Sequence, residues 1–140
     1  MPPPRGYVND FAGVLTPGAK QALETYCTNL ERVTGAQVAI VLVDSLDNEP
    51  VEDAANRLYR EWGVGKKGKD EGALILLSIR DHKSRAEIGY GLEPIITDGA
   101  AGGILRAIRP ILRQGNYGGA LLAAVEQIGA QIAQAKGVEL

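Results

Sequence analysis

The 140-residue sequence predicts a small three-layer α/β sandwich. Three observations carry that reading. Residues 36–43 and 73–79 are short apolar runs rich in Val, Ile and Leu, the pattern of strands covered on both faces. A helical stripe lies between them, so the unit crosses over right-handed and the two strands run parallel. Residues 84–90 alternate, with Ala86, Ile88 and Tyr90 on one side and Arg85, Glu87 and Gly89 on the other, straight after four polar residues, which makes them the antiparallel hairpin partner of 73–79. The order is α-β-α-β-β-α-α, a small mixed sheet with helices on both faces.

Each element has a local cause. Thr16 followed by Pro17 is a hydroxyl cap before a proline at the first helical position. Leu23, Tyr26, Cys27, Leu30 and Val33 then share one helical face, and Gly35 stops the helix. Pro50 opens a second helix with the stripe Val51, Ala54, Ala55, Leu58, Tyr59 and Trp62, ended by Gly63. Thr97 caps a third helix that turns Ile104, Leu105, Ile108 and Leu112 inward, and Pro110 is expected to kink or fray its last turn. Asn116 caps a fourth, with Leu121, Ala124, Val125, Ile128 and Ile132 buried. Residues 1–6 read as a proline-rich leader, 7–135 as one domain and 136–140 as a tail.

Composition narrows the function. At 45% hydrophobic and 23% charged residues the chain is an ordinary folded domain, not a disordered one. A net charge of −2 and few aromatics argue against nucleic acid. The lone Cys27 and lone His82 exclude an internal disulfide and Cys- or His-rich metal sites. No apolar stretch approaches the ~20 residues of a membrane helix. Met1–Gly6 lacks the apolar run of a signal peptide. A monomer is expected.

Topology sorts the polar residues onto two ends of the sheet. If Ile79 pairs with Ser84, Asp70 falls opposite Glu93, with Asp98 in the first turn of the third helix and Glu71 alongside. Lys66, Lys67 and Lys69 arrive there on the loop before 73–79. Converging carboxylates repel unless a proton or a hard cation joins them, and oxygen ligands suit Ca²⁺ or Mg²⁺. Equally, Asp98 reads as a helix-start charge, and Asp70 and Glu93 as loop charges facing the lysines. The other end holds Asp44 and Asp47 after the first strand and Asp81 and His82 in the hairpin turn. Open α/β sheets bind ligands at the carboxyl ends of their parallel strands, so Asp44 and Asp81 are the alternative site. His82 reads as a solvated turn residue. Asp10, ahead of the first helix, can reach either end.

Several motifs fail. Gly63-x-Gly65-x-x-Gly68 follows a helix and precedes a strand, the reverse of a dinucleotide fingerprint. Gly89-Tyr-Gly91 marks the strand exit, where the glycines permit close approach to a ligand or a bulge, the bulge being the favoured reading. Cys27 lies on an apolar helix face as core. No P-loop, Gly-x-Ser-x-Gly or His-Glu-x-x-His is present, so hydrolysis would need a metal-bound water or a carboxylate base.

Tyr7-Val-Asn-Asp10-Phe-Ala-Gly-Val-Leu15 resembles the opening of the TPM domain family. Thr34-Gly35-Ala-Gln37, the Trp62-Gly-x-Gly65 loop, Lys69-Asp-Glu-Gly-Ala-Leu74 and Arg85-x-Glu87-x-Gly89-Tyr-Gly91-Leu-Glu93 resemble its later stretches, and Asp98 fits the same order and spacing. The likeness spans nearly the whole chain. It implies an α/β sandwich and a location outside the cytoplasm, in a periplasm, cell envelope or lumen. Members include a plant thylakoid-lumen protein described as an acid phosphatase, and calcium binding has been associated with the fold. By this resemblance Asp10, Asp70, Glu93 and Asp98 match the family's acidic positions.

The leading expectation is a module that binds a divalent cation, calcium ahead of magnesium, at Asp70, Glu93, Asp98 and Asp10. It would serve a protein partner at or near a membrane. A metal-assisted phosphomonoesterase is the alternative, with Lys66, Lys67 and Lys69 receiving phosphate. A metal-free interaction domain is the third.

Overall fold

The apolar runs form the middle of the sheet. A computed structural model describes residues 3–65 and 69–140. Along the chain come β1 (Val8–Asp10), α1 (Pro17–Thr34), β2 (Gln37–Val43), α2 (Val51–Glu61), β3 (Gly72–Ser78) and β4 (Lys83–Ile88). A 3-10 turn at Tyr90–Leu92, α3 (Asp98–Arg113) and α4 (Tyr117–Lys136) complete it. The sheet order is β1-β2-β3-β4, with the first three strands parallel and β4 antiparallel to β3.

Strand alternation divides the core in two. Val38, Ile40 and Leu42 of β2, with Ala73, Ile75 and Leu77 of β3, face α1, α3 and α4. Ala39, Val41 and Val43, with Leu74 and Leu76, face α2 alone. The caps are as read: Thr16 accepts from the Ala19 amide at 3.1 Å, Thr97 from Ala100 at 3.1 Å and Asn116 from Gly119 at 3.0 Å.

Four expectations need correction. A fourth strand, β1, joins the edge of the sheet; its three residues are too few for a period-2 pattern to register in the sequence. The hairpin register also differs. Ser78 pairs with Lys83 and Ala73 with Ile88, two residues away from an Ile79–Ser84 pairing. The Asp81 carboxylate bonds back to the Ser78 hydroxyl at 2.8 Å, and His82 takes a left-handed φ of 52° that closes the turn one residue early. A shift of two keeps every side chain on its face. Ala86 and Ile88 are therefore inward as expected, whereas Tyr90, expected on the same side, lies past the end of β4 and is exposed; Asp70 meets Gly91 instead of Glu93.

Third, α3 does not fray at Pro110, which is exposed, but runs three residues past it to Arg113. Fourth, Lys136, read as tail, is the last residue of α4. Its ammonium reaches the Thr34 carbonyl at 2.8 Å and Glu71 at 2.9 Å, tying the chain end to the helix before β2.

Cys27 is fully buried, and burial followed by the nearby Glu24 carboxylate pushes its thiol up to about 12. The native protein should leave a disulfide reagent such as DTNB unreacted at pH 8, with one equivalent released on unfolding in guanidinium. Prompt reaction of the folded chain would show that α1 does not pack as described.

Candidate functional site

The amino end of β3 is built around one carboxylate. Asp70 holds a left-handed φ of 53°, and this turns the chain sharply into β3. Its Oδ1 accepts from the Tyr59 hydroxyl of α2 at 2.7 Å, and its Oδ2 from the Tyr90 amide at 2.9 Å. Its carbonyl takes the Gly91 amide at 3.0 Å. One residue thus joins α2, the loop before β3 and the turn after β4. Burial first, then the bond to Asp70, pushes the Tyr59 phenol far above its ordinary range.

The glycines around this knot are there for space. A Cβ on Gly89 would collide with the Tyr59 hydroxyl and the Asp70 carbonyl, and one on Gly91 with the Lys69 carbonyl. This replaces the bulge expected at Gly89-Tyr-Gly91. The ladder stays regular to Ile88, and the glycines let two backbone segments touch.

The other acidic residues of this end divide into spent and free. Glu71 is paired with Lys136. Glu93 closes the 3-10 turn and Asp98 opens α3; both are exposed, five residues apart on one tight connection. Lys69 is exposed beside Asp70. Lys66 and Lys67 lie outside the described residues. Gly65 of the failed dinucleotide pattern gives its amide to the Gln37 side chain at 2.8 Å.

Asp10 does not join this end. It pairs with Leu42, which pairs with Leu77. That level is seven residues along β3 from Asp70, roughly 20 Å at ~3.3 Å per residue. The reason is β1 itself: as a strand parallel to β2 it carries Asp10 to the carboxyl end. There the Asp10 carboxylate accepts from the Gly13 and Leu15 amides at 2.8 Å each and shapes the entry to α1.

The alternative residues share the carboxyl end with it. Asp44 pairs with Arg80 at 3.2 Å on the surface. Asp81 Oδ2 takes the Leu46 amide at 2.7 Å and the Ser78 hydroxyl at 2.8 Å. Those bonds, the backbone one foremost, hold its carboxyl below the ordinary 3.8. His82 is exposed in the turn, as expected. Among the described residues, no three or more His, Cys, Asp or Glu side chains converge closely enough to hold a metal ion.

The TPM domain profile matches residues 8–131. The chain belongs to the TPM domain family. The fold of this TPM domain recurs in the solution structure of the N-terminal domain of a protein from P. gingivalis. The two share 29% identity and a TM-score of 0.83, over 92% of this chain and 83% of that one. The BA42 protein of the psychrophile Bizionia argentinensis aligns at 19% identity and TM-score 0.74, over 86% and 82%. The N-terminal domain of the cg2496 protein of Corynebacterium glutamicum aligns at 16% and 0.72, over 90% and 79%. These two show the fold alone. No curated protein matches the chain.

Sequence reasoning missed two residues of the TPM domain's Asp70 knot. In the sequence Tyr59 is one residue of a helical stripe, and Tyr90 contributes a backbone amide, which carries no sequence signal. The pair of glycines flanking Tyr90 was the one available hint.

Tyr59→Phe should cost about 1 kcal/mol by denaturant unfolding, because Asp70 keeps its bond to the Tyr90 amide. Gly89→Ala should cost more than Tyr59→Phe, since the added Cβ forces both segments apart. The reverse order would show that the knot is loosely packed. At the other end, the lowered Asp81 value means its ties add stability above the unfolded aspartate range. That stability is lost as pH falls through the folded value. Asp81→Asn should therefore flatten the acid limb of a midpoint-against-pH curve; an unchanged limb would show that the two bonds do not form in solution.

Proposed function

We propose that this TPM domain is a calcium-responsive binding module working outside the cytoplasm, where it serves a membrane-associated protein partner. The observation that carries the reading is the placement of Glu93 and Asp98. Both are exposed on the one short connection that the Asp70 knot anchors. Family membership adds to it. No described helix is long and apolar enough to cross a membrane, so attachment would come through the partner or through sequence beyond this domain.

The donor set decides what kind of cation site this would be. Asp70 has both oxygens engaged, Glu71 has a lysine, and Asp10 is at the far end. Glu93 and Asp98 supply the carboxylate oxygens, and backbone carbonyls and water complete the six to eight that calcium takes. All-oxygen ligation of this kind fits a hard cation. Two carboxylates, few and exposed, fit the weak class of extracellular modules, with dissociation constants on the order of 10⁻⁴–10⁻³ M. Magnesium, which keeps more of its water and demands tighter geometry, should bind more weakly.

The chemistry argues for binding over turnover. The side-chain oxygens of Asp70 are held by the Tyr59 hydroxyl and the Tyr90 amide, with no serine, cysteine or histidine among these partners to act as a nucleophile or proton carrier.

At about 10 mM calcium the site should add roughly 1.4–2.7 kcal/mol, a rise of a few degrees in the thermal midpoint. The rise should be smaller with magnesium and absent in Glu93→Gln/Asp98→Asn. An equal rise in that double variant would reject the residues, and no rise in the native protein would leave the metal-free interaction domain. A phosphomonoester assay run alongside should show no turnover sensitive to the double variant.

A further inference from the structure

A cavity lies at the other end of the sheet from Glu93 and Asp98, and the charge lining it is mostly basic. It encloses about 680 Å³ between the end of β3, the hairpin turn, the last turns of α3 and the start of α4. That volume is in the range of small-molecule sites, roughly 300–1,000 Å³. Leu77 and Leu112 give it an apolar floor.

Its charged wall is lopsided. Lys83, Arg109 and Arg113 line it, with the His82 imidazole beside them, against a single acid, Glu52. The whole chain has the reverse balance, 15 basic residues to 17 acidic. Among the described residues, Lys83, Arg109 and Arg113 enter no ion pair. The carboxylates next along the chain are already committed: Asp44 to Arg80, and Asp81 to the Leu46 amide and Ser78.

The placement of the arginines is informative. Arg109 and Arg113 stand four residues apart on α3, so they are neighbours on one helix face. Like charges at that spacing disfavour a helix. An oxyanion received between the two removes the cost, and guanidinium forks bind phosphate and carboxylate with two parallel bonds. Across the cavity α4 begins at Tyr117, so the positive end of its dipole also faces this region, and the tyrosine offers a hydroxyl. The carboxyl ends of the parallel strands β2 and β3 meet here, where open α/β sheets place their ligands.

We propose that this cavity binds a small anionic molecule carrying a phosphate or several carboxylates, gripped by Arg109, Arg113 and Lys83. The apolar floor takes the organic part of the ligand. This site is independent of the calcium reading, and its test needs no metal.

The experiment is an NMR titration of the calcium-free protein with three probes at fixed ionic strength: inorganic phosphate, glycerol 3-phosphate and citrate. Saturable amide shifts should be confined to residues 78–84 and 109–117. Arg109→Gln/Arg113→Gln should weaken binding by at least about tenfold. Arg5→Gln/Arg32→Gln, which removes the same charge elsewhere on the surface, should leave it unchanged. A preference for the two phosphates over citrate would assign a phosphorylated ligand, and the reverse a polycarboxylate. The proposal is overturned if no probe gives saturable shifts by about 10 mM, a tenfold excess over a millimolar dissociation constant. It is equally overturned if binding survives in Arg109→Gln/Arg113→Gln or falls as much in the distant control.

Discussion

The burial of β3 on all sides is the constraint on which the rest of the domain depends. Every residue from Gly72 to Ser78 is buried. The strand pairs with β2 on one side and β4 on the other, and it has helices above and below. A strand in that position must be apolar at every step, and it must find its polar groups only where it enters and leaves. Both polar ends are therefore turns with left-handed residues: Asp70 before it and His82 after it. The two candidate sites are the two places where this strand meets solvent.

That constraint also explains what the sequence made legible. Unbroken apolar runs announce β2 and β3, and hydroxyl or amide caps announce α1, α3 and α4, because each is a local pattern. β1 is three residues long and owes its existence to β2, so nothing local marks it. The hairpin register rested on which residue would begin the turn. That choice is made by the Asp81 hook onto Ser78 and by a histidine in a left-handed conformation, neither of which is a pattern of hydrophobicity. The resulting difference of two residues left Ala86 and Ile88 in the core and separated Asp70 from Glu93. Fold and site thus differ in their tolerance: a face survives an even shift, while a pairwise juxtaposition does not.

The acidic residues teach a related lesson. Asp10, Asp70 and Asp81 each take two hydrogen bonds from nearby backbone or hydroxyl groups, at a point where the chain changes direction. Such a role calls for the same residue type as metal ligation, a short side chain with two acceptor oxygens. Sequence alone does not separate the two uses. What separates them is whether the oxygens are already occupied, and by that measure Glu93 and Asp98 stand apart from Asp10, Asp70, Glu71 and Asp81.

The way β1 is held has a consequence for the behaviour of the sheet as a whole. Its inner edge follows β2, and the outward amide of Val8 donates to Glu24 of α1 at 2.6 Å. A side-chain carboxylate thus occupies a donor to which a further strand would otherwise pair. On the opposite side β4 alternates Lys83, Arg85 and Glu87 with its inward residues, a charged margin of the kind that resists strand addition. Neither margin is an inviting template for a second chain.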